Sequence, residues 1–219
     1  MTQPFADRTD AGRRLAQAVL DRLGDSLDDA IVLGLPRGGV TVAAEVADAL
    51  HAPLDVLVVR KIGAPGRPEL AMGALAGGAV VRNDDVVAAL GVDEATFTTA
   101  AAAERALAEA RERSYRGIHA PTPLQGRTAI VVDDGLATGA TARAAVTALG
   151  QRSQDRPSRV VLAVPVAPAD TLDQLAQLVD DVVCLRCPQP FYAVGEWYRR
   201  FDQVSDDEVR TLLQRPLQS

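Results

Sequence analysis

Histidine and cysteine are nearly absent from this sequence, with two of each among 219 residues. His51 and His119 lie far apart and near no motif, and no Gly-x-Ser-x-Gly occurs, so a histidine-assisted serine hydrolase is not indicated. Cys184 and Cys187 form a single C-x-x-C. With no second pair and no nearby histidine, the spacing argues against zinc. The two thiols follow a strand pattern and do not open a helix, which argues against a redox dithiol. No apolar run reaches the length of a membrane span, so no membrane partner is expected. The start, Met1-Thr-Gln-Pro-Phe-Ala-Asp-Arg, lacks the basic-then-apolar plan of a leader, and the expected location is the cytoplasm. Positive charge is not in excess: 23 Lys and Arg face 29 Asp and Glu, a net charge of −6. That argues against nucleic acid as a partner, so an anionic ligand would be held by local charges and backbone dipoles. Neither G-x-x-x-x-G-K-[ST] nor G-x-G-x-x-G is present. The remainder is ordinary globular composition, 47% hydrophobic and 24% charged, long enough for one large domain with a sizeable core.

The densest information lies in residues 128–141, Thr-Ala-Ile-Val-Val-Asp-Asp-Gly-Leu-Ala-Thr-Gly-Ala-Thr. Ala129 to Val132 is apolar and β-branched, the pattern of a central parallel strand buried on both faces. Asp133 and Asp134 end the run. A loop of small residues follows, and from Ala140 the spacing of Ala142, Ala145, Val146 and Leu149 is helical. The carboxyl ends of strands are where open α/β sheets bind ligands. Unpaired N–H groups at a helix start, with the helix dipole behind them, form an anion site. Gly135, Ala137, Gly139 and Ala140 allow close approach, and Thr138 and Thr141 add hydroxyls. Two carboxylates beside a phosphate cradle would repel the phosphate, but they suit two vicinal sugar hydroxyls. The arrangement predicts a ribose 5-phosphate.

Residues 131–141, Val-Val-Asp-Asp-Gly-Leu-Ala-Thr-Gly-Ala-Thr, resemble the phosphoribosyl diphosphate (PRPP) signature of type I phosphoribosyltransferases. The resemblance implies an α/β fold with a doubly wound, mainly parallel sheet and a small C-terminal hood. It places the 5-phosphate on Gly135, Ala137, Thr138, Gly139, Ala140 and Thr141, and the ribose hydroxyls on Asp133 and Asp134.

A second strand-loop-helix unit precedes this one: a strand from Ala30 to Leu35, Pro36-Arg37-Gly38-Gly39, then a helix from Val40 to Leu50. A glycine pair turns backbone N–H groups toward one anion, and Arg37 adds a planar fork of donors. In the family this place is the diphosphate-binding loop, often with a strained or cis peptide. Leu54 to Val59 reads as a further strand ending on Arg60 and Lys61. Residues 62–70, with Gly63, Pro65, Gly66 and Pro68, show no period and read as a loop. The matching position in the family carries a mobile catalytic loop, where Arg60 and Lys61 would neutralise the leaving diphosphate. Glu69 is given no role.

Met72 to Ala76 and Ala79 to Arg82 flank Gly77-Gly78 as a hairpin. Helices are expected over 9–23, capped by Thr9 or Asp10, over 83–90, and over 93–116. The last is alanine-rich, a face suited to close helix approach within the chain or across a homodimer. Strands over 159–166 and 181–185 flank a helix over 170–178, and a capping box at Ser205 and Glu208 starts a last helix.

Five of the eight aromatics fall in residues 187–204. Flat side chains beside a ribose site suit a planar ring. The segment resembles the Phe-Val-Val-Gly-Tyr region of hypoxanthine-guanine phosphoribosyltransferases. That match makes Tyr192 the stacking residue, with Ala193, Val194 and Trp197 completing the base site. Two departures count against a 6-oxopurine. No lysine stands near Val164 to Val166, and Arg199 falls where the family has an acid.

The expectation is a single phosphoribosyltransferase domain over residues 1–219, with a core near 25–186 and a hood from 187–204 plus the C-terminal helix. Its reaction would move ribose 5-phosphate between PRPP and a nitrogenous base with Mg²⁺, a step of nucleotide metabolism. The alternative is a catalytically weak PRPP-binding regulatory protein. PRPP synthesis would call for a longer chain with two related halves, and no repeat is visible.

Overall fold

The computed structural model describes residues 3–27 and 29–215. Along the chain run α1 (Arg8–Leu23), β1 (Ala30–Gly34), α2 (Gly38–Leu50), β2 (Leu54–Val56), β3 (Val59–Ala64), β4 (Arg67–Ala76) and β5 (Ala79–Arg82). Then follow α3 (Asp84–Ala89), α4 (Glu94–Arg116), β6 (Thr128–Val132), α5 (Ala140–Gly150), β7 (Arg159–Val166), α6 (Ala169–Ala176), β8 (Asp181–Arg186) and α7 (Asp206–Leu213).

Five strands form one parallel sheet in the order β2-β1-β6-β7-β8. Successive side chains of a strand point to opposite faces, and both faces here are apolar and covered. Ala30, Val32, Ile130, Val132, Val161 and Ala163 pack against α1 and α2. Ile31, Leu33, Ala129, Val131, Leu162 and Val164 pack against α5 and α6. Helices on both faces make the sheet doubly wound, as expected. β1 and β6 are buried at every residue, which explains why their sequences read as continuous apolar runs. No described helix is long and apolar enough to cross a membrane.

Residues 62–70 are not a loop. β3 and β4 form an antiparallel hairpin around Pro65 and Gly66, and β5 adds the third strand of a separate small sheet. The hairpin is irregular, with register shifts on both sides of Gly63. Pro68 sits in that irregular part, where a missing ladder N–H is tolerated. Bulges and prolines hid the period of two from the sequence. The expected strand over 54–59 is likewise broken: β2 stops at Val56, and Arg60 and Lys61 lie inside β3. The start of α1 also differs. Its N-cap is Asp7, whose side chain accepts from Asp10 N, not Thr9 or Asp10. The expected hairpin over 72–82 and the capping box of α7 both form, and Asp93 caps α4.

The aromatic segment is tied down by the other end of the chain. Phe5 pairs with Tyr198 in a parallel bridge, donating to Trp197 O at 2.8 Å and accepting from Arg199 N at 2.8 Å. Residues near the start of the chain therefore join 187–204 in the hood. α7 closes the other flank, packing Val209 against a cluster that includes Val40 of α2 and Ala108 and Tyr115 of α4.

Candidate active site

Because β1 and β6 are neighbours, the turns that follow them lie side by side at the carboxyl edge of the sheet. Leu35 N donates to Val132 O at 2.9 Å, which fixes their spacing. The first turn holds a cis peptide between Pro36 and Arg37, then Gly38 and Gly39 open α2. The second runs from Asp133 to Gly139 and opens α5. α1, α3, α4 and α7 have side-chain caps, whereas α2, α5 and α6 have none. In α2 the Val40 N–H turns back to Arg37 O at 3.2 Å, and in α5 the Ala140 N–H reaches Thr138 Oγ1 only at 3.5 Å, so the anion-binding capacity of these starts rests on their other first-turn N–H groups. Gly139 adopts a φ of 68°, and a Cβ there would lie 2.6 Å from Thr171 Cγ2, so this turn admits no side chain at that point. Ala137, Thr138, Ala140 and Thr141 are exposed around it.

The glycine pair is held even closer. A Cβ on Gly39 would lie 2.7 Å from Val132 O and 2.9 Å from Asp133 Cα. A Cβ on Gly38 would lie 2.0 Å from Asp134 Oδ2 and 2.9 Å from Arg8 Nε. The two turns thus pack backbone to backbone, with the acid pair between two uncapped helix starts.

The acids differ. Asp133 Oδ1 accepts from Asp134 N at 2.9 Å. Burial, and next the charge of Asp134, push the Asp133 carboxyl well above its ordinary range. Burial also raises Asp134, against the opposing pull of the Arg8 guanidinium, whose Nε donates to Asp134 Oδ2 at 2.7 Å. The hydroxyl of Tyr198 donates to the backbone oxygen of Asp134, and burial followed by that acid's charge raises the phenol as well.

A cleft of about 740 Å³ opens beside the turns. It brings together Arg37, Arg60 and Thr141, one from each expected phosphate-binding place, against a wall of α4 carrying Arg111 and Tyr115. Asp206 organises that wall: it accepts from Arg111 Nη2 at 2.6 Å and from the Tyr115 hydroxyl at 3.1 Å, and lies 3.9 Å from Arg37 Nη1. Arg60 Nη2 pairs with Glu104 at 2.8 Å. Lys61, the chain's one lysine, is the next residue of the same strand and points to the other face. It lines an adjoining recess of about 460 Å³ and contacts Glu69, both the backbone oxygen at 3.3 Å and the carboxylate at 3.7 Å. Arg60 thus borders both the cleft and the recess, whereas Lys61 borders the recess and not the cleft, with Glu69 as its partner.

In the hood, Tyr192 is 76% exposed. Ala193 is exposed beside it, and Val194 reaches to 2.5 Å of where a Cβ on Gly135 would stand. Trp197 packs instead with Phe5, Ala11 and Tyr198. The thiols of Cys184 and Cys187 are free, with sulfurs 3.9 Å apart, and burial pushes Cys184 up to about 12. Among the described residues no group of three or more His, Cys, Asp or Glu is placed to hold a metal.

Sequence reasoning missed Arg8, Tyr198 and Asp206. Arg8 is 126 residues from its partner Asp134, and no local spacing announces such a contact. Lys61 carried a signal that was available: it is the single lysine in 219 residues.

The family model for the phosphoribosyl transferase domain matches residues 6–207. Proteins from two strains of Mycobacterium tuberculosis, CDC 1551 and H37Rv, each named "Putative phosphoribosyl transferase", are 49% identical over 212 residues. The match takes in 96% of this chain and 46% of each relative, so the chain spans about half the length of the curated relatives it matches. The crystal structure of TT1426 from Thermus thermophilus superposes with a TM-score of 0.82 at 42% identity, over 96% of this chain and 98% of that one.

Proposed function

We propose that this chain, which belongs to the phosphoribosyl transferase family, transfers the ribose 5-phosphate of PRPP to a nitrogenous base and releases diphosphate. The observation that carries this reading is the acid pair set between two uncapped helix starts whose turns touch through Gly38 and Gly39. One start suits the 5-phosphate and the other the diphosphate, with the ribose spanning the acids.

In the forward direction the bond from C1 of the ribose to the diphosphate oxygen breaks, and the electron pair leaves with the diphosphate. The base nitrogen supplies the pair for the new bond. The transition state carries positive charge on the ring, so the protein contributes position and electrostatics. The amides of residues 135–141 with the hydroxyls of Thr138 and Thr141 hold the 5-phosphate. Asp133 and Asp134 hold the ribose hydroxyls and face the developing cation. Arg37 and the Gly38 and Gly39 amides take the diphosphate, and Arg60 and Lys61 exchange Glu104 and Glu69 for it as it leaves. A planar acceptor lies on the hood beside Tyr192, with Ala193 and Val194 behind. Mg²⁺, a hard ion satisfied by oxygen, fits a site whose donors are carboxylates and phosphate oxygens. It would be carried by PRPP's own oxygens and would neutralise diphosphate charge, and no side chain is assigned to it.

The test is a screen of bases for PRPP-dependent diphosphate release, followed by variants. Asp134→Asn and Arg60→Ala are each expected to lower release about 100-fold or more while circular dichroism stays native. Unchanged release in both would remove the catalytic assignment. Saturable PRPP binding with no turnover on any base would favour the regulatory alternative.

A further inference from the structure

Arg8, the first residue of α1, meets the acid pair from outside every motif. We infer that Arg8 is a positioning residue that fixes the carboxylate of Asp134 for the ribose and ties it to the hood. The inference rests on the phosphoribosyl reading above.

Arg8 is itself held on several sides. Its Nε donates to Asp134 Oδ2 at 2.7 Å, and its Nη1 donates to Asp202 O at 2.7 Å. Its guanidinium lies 3.9 Å over the Phe201 ring, and Phe201 in turn packs on Tyr198 with ring centroids 4.9 Å apart. Only 11% of the Arg8 side chain and 16% of Asp134's is exposed. A planar fork held this way loses little freedom when it orients a carboxylate.

The charges make the same case. Asp133 and Asp134 are adjacent and largely buried, and two such acids repel. Arg37, Arg60 and Lys61 face Asp206, Glu104 and Glu69 instead. Arg8 is the cation that, among the described residues, reaches the pair, and its guanidinium offsets the repulsion between the two acids beside a ribose that becomes cationic. The contact also lies across Gly38, so the start of α1, the diphosphate turn and the acid meet at one point. Tyr198 fixes the backbone oxygen of Asp134 from the hood side. The acid is thus oriented before a ligand arrives, and the hood is the frame that orients it.

Calorimetry on the full chain with two probes, ribose 5-phosphate and inorganic phosphate, separates positioning from folding. Both probes use the phosphate turn, but only the sugar uses the acids. Arg8→Gln is expected to weaken ribose 5-phosphate about tenfold and to leave inorganic phosphate within about twofold. Arg8→Lys, which keeps the charge, should stay within about threefold of the wild type for the sugar phosphate. The double variant with Asp134→Asn should lose no more than Asp134→Asn alone, because Arg8 acts through that acid. The double variant also leaves neither an unpaired guanidinium nor an unpaired Asp134 carboxylate. Should Arg8→Gln fail to fold, Phe201→Leu decides: it keeps the ion pair, removes its platform, and is expected to weaken only the sugar phosphate, about threefold. Equal losses for both probes, or no loss for either, would make Arg8 structural and overturn the inference. Tighter sugar-phosphate binding by Arg8→Gln would overturn it too, showing Arg8 to be a competitor of the ribose. A wild type that binds ribose 5-phosphate no better than inorganic phosphate would instead bring down the ribose reading itself.

Discussion

Gly39→Ala is expected to destabilise the protein by about 1–3 kcal/mol and to abolish diphosphate release. Elsewhere the sign would be the reverse, since alanine inside a helix is worth up to about 1 kcal/mol over glycine. Here the added methyl would stand 2.7 Å from Val132 O and 2.9 Å from Asp133 Cα. Both obstacles are backbone of a strand and turn that are themselves packed, so neither yields without moving the acid pair. Gly38→Ala makes an instructive contrast. Its obstacles are side-chain atoms, Asp134 Oδ2 at 2.0 Å and Arg8 Nε at 2.9 Å, which swing away once their ion pair breaks. Activity should fall as far as in Gly39→Ala, with a smaller loss of stability. Urea melts and a release assay on both variants read the difference. A Gly39→Ala protein more stable than the wild type would mean that the two turns do not touch.

Asp133→Asn should give the opposite pairing: a more stable protein with release lowered about 100-fold or more. The asparagine oxygen keeps the bond from Asp134 N. What is lost is a charge that burial and the neighbouring acid disfavour. The sign follows from linkage. The folded-state pKa of Asp133 is raised, so its contribution to stability is fully present below the unfolded carboxylate value and is lost as pH rises through the folded value. Asparagine has no such loss. The variant is therefore expected to melt about 2–4 °C higher at neutral and mildly alkaline pH, a gain of about 1 kcal/mol. The gap should begin to shrink as pH falls below the raised pKa and be gone below the ordinary carboxylate value. A gap that does not depend on pH would mean that Asp133 is not held against its charge. Such a strained acid belongs at a site that receives a cation, where ligand charge offsets the repulsion that the empty fold tolerates.

Strand ends and turns were legible because their signals are local. Ala129 to Val132 is apolar because both faces are covered, and Asp133 through Thr141 mark the turn by residue type alone. The capping box of Ser205 and Glu208 was readable for the same reason. Residues 62–70 were not legible, because a bulged hairpin with Gly63, Pro65, Gly66 and Pro68 carries no period of two. That error hid the fact that Arg60 and Lys61 share a strand and so face apart. The hood was placed only in part. Its aromatics stood out by composition, but Phe5 and Arg8 reach it from the other end of the chain, and pairing over such a distance leaves no trace in spacing. Trp197 illustrates the limit: aromatic clustering pointed to the base, and the indole packs beside Phe5 and Ala11.

The most direct measurement is a calorimetric titration of the chain with PRPP in the presence of Mg²⁺, repeated against saturating ribose 5-phosphate and then against saturating diphosphate. If the turn at 135–141 takes the terminal phosphate and the turn at 36–39 takes the leaving group, PRPP binds at one saturable site and each fragment alone competes with it. Absence of a binding isotherm, or PRPP binding that neither fragment displaces, would contradict that placement.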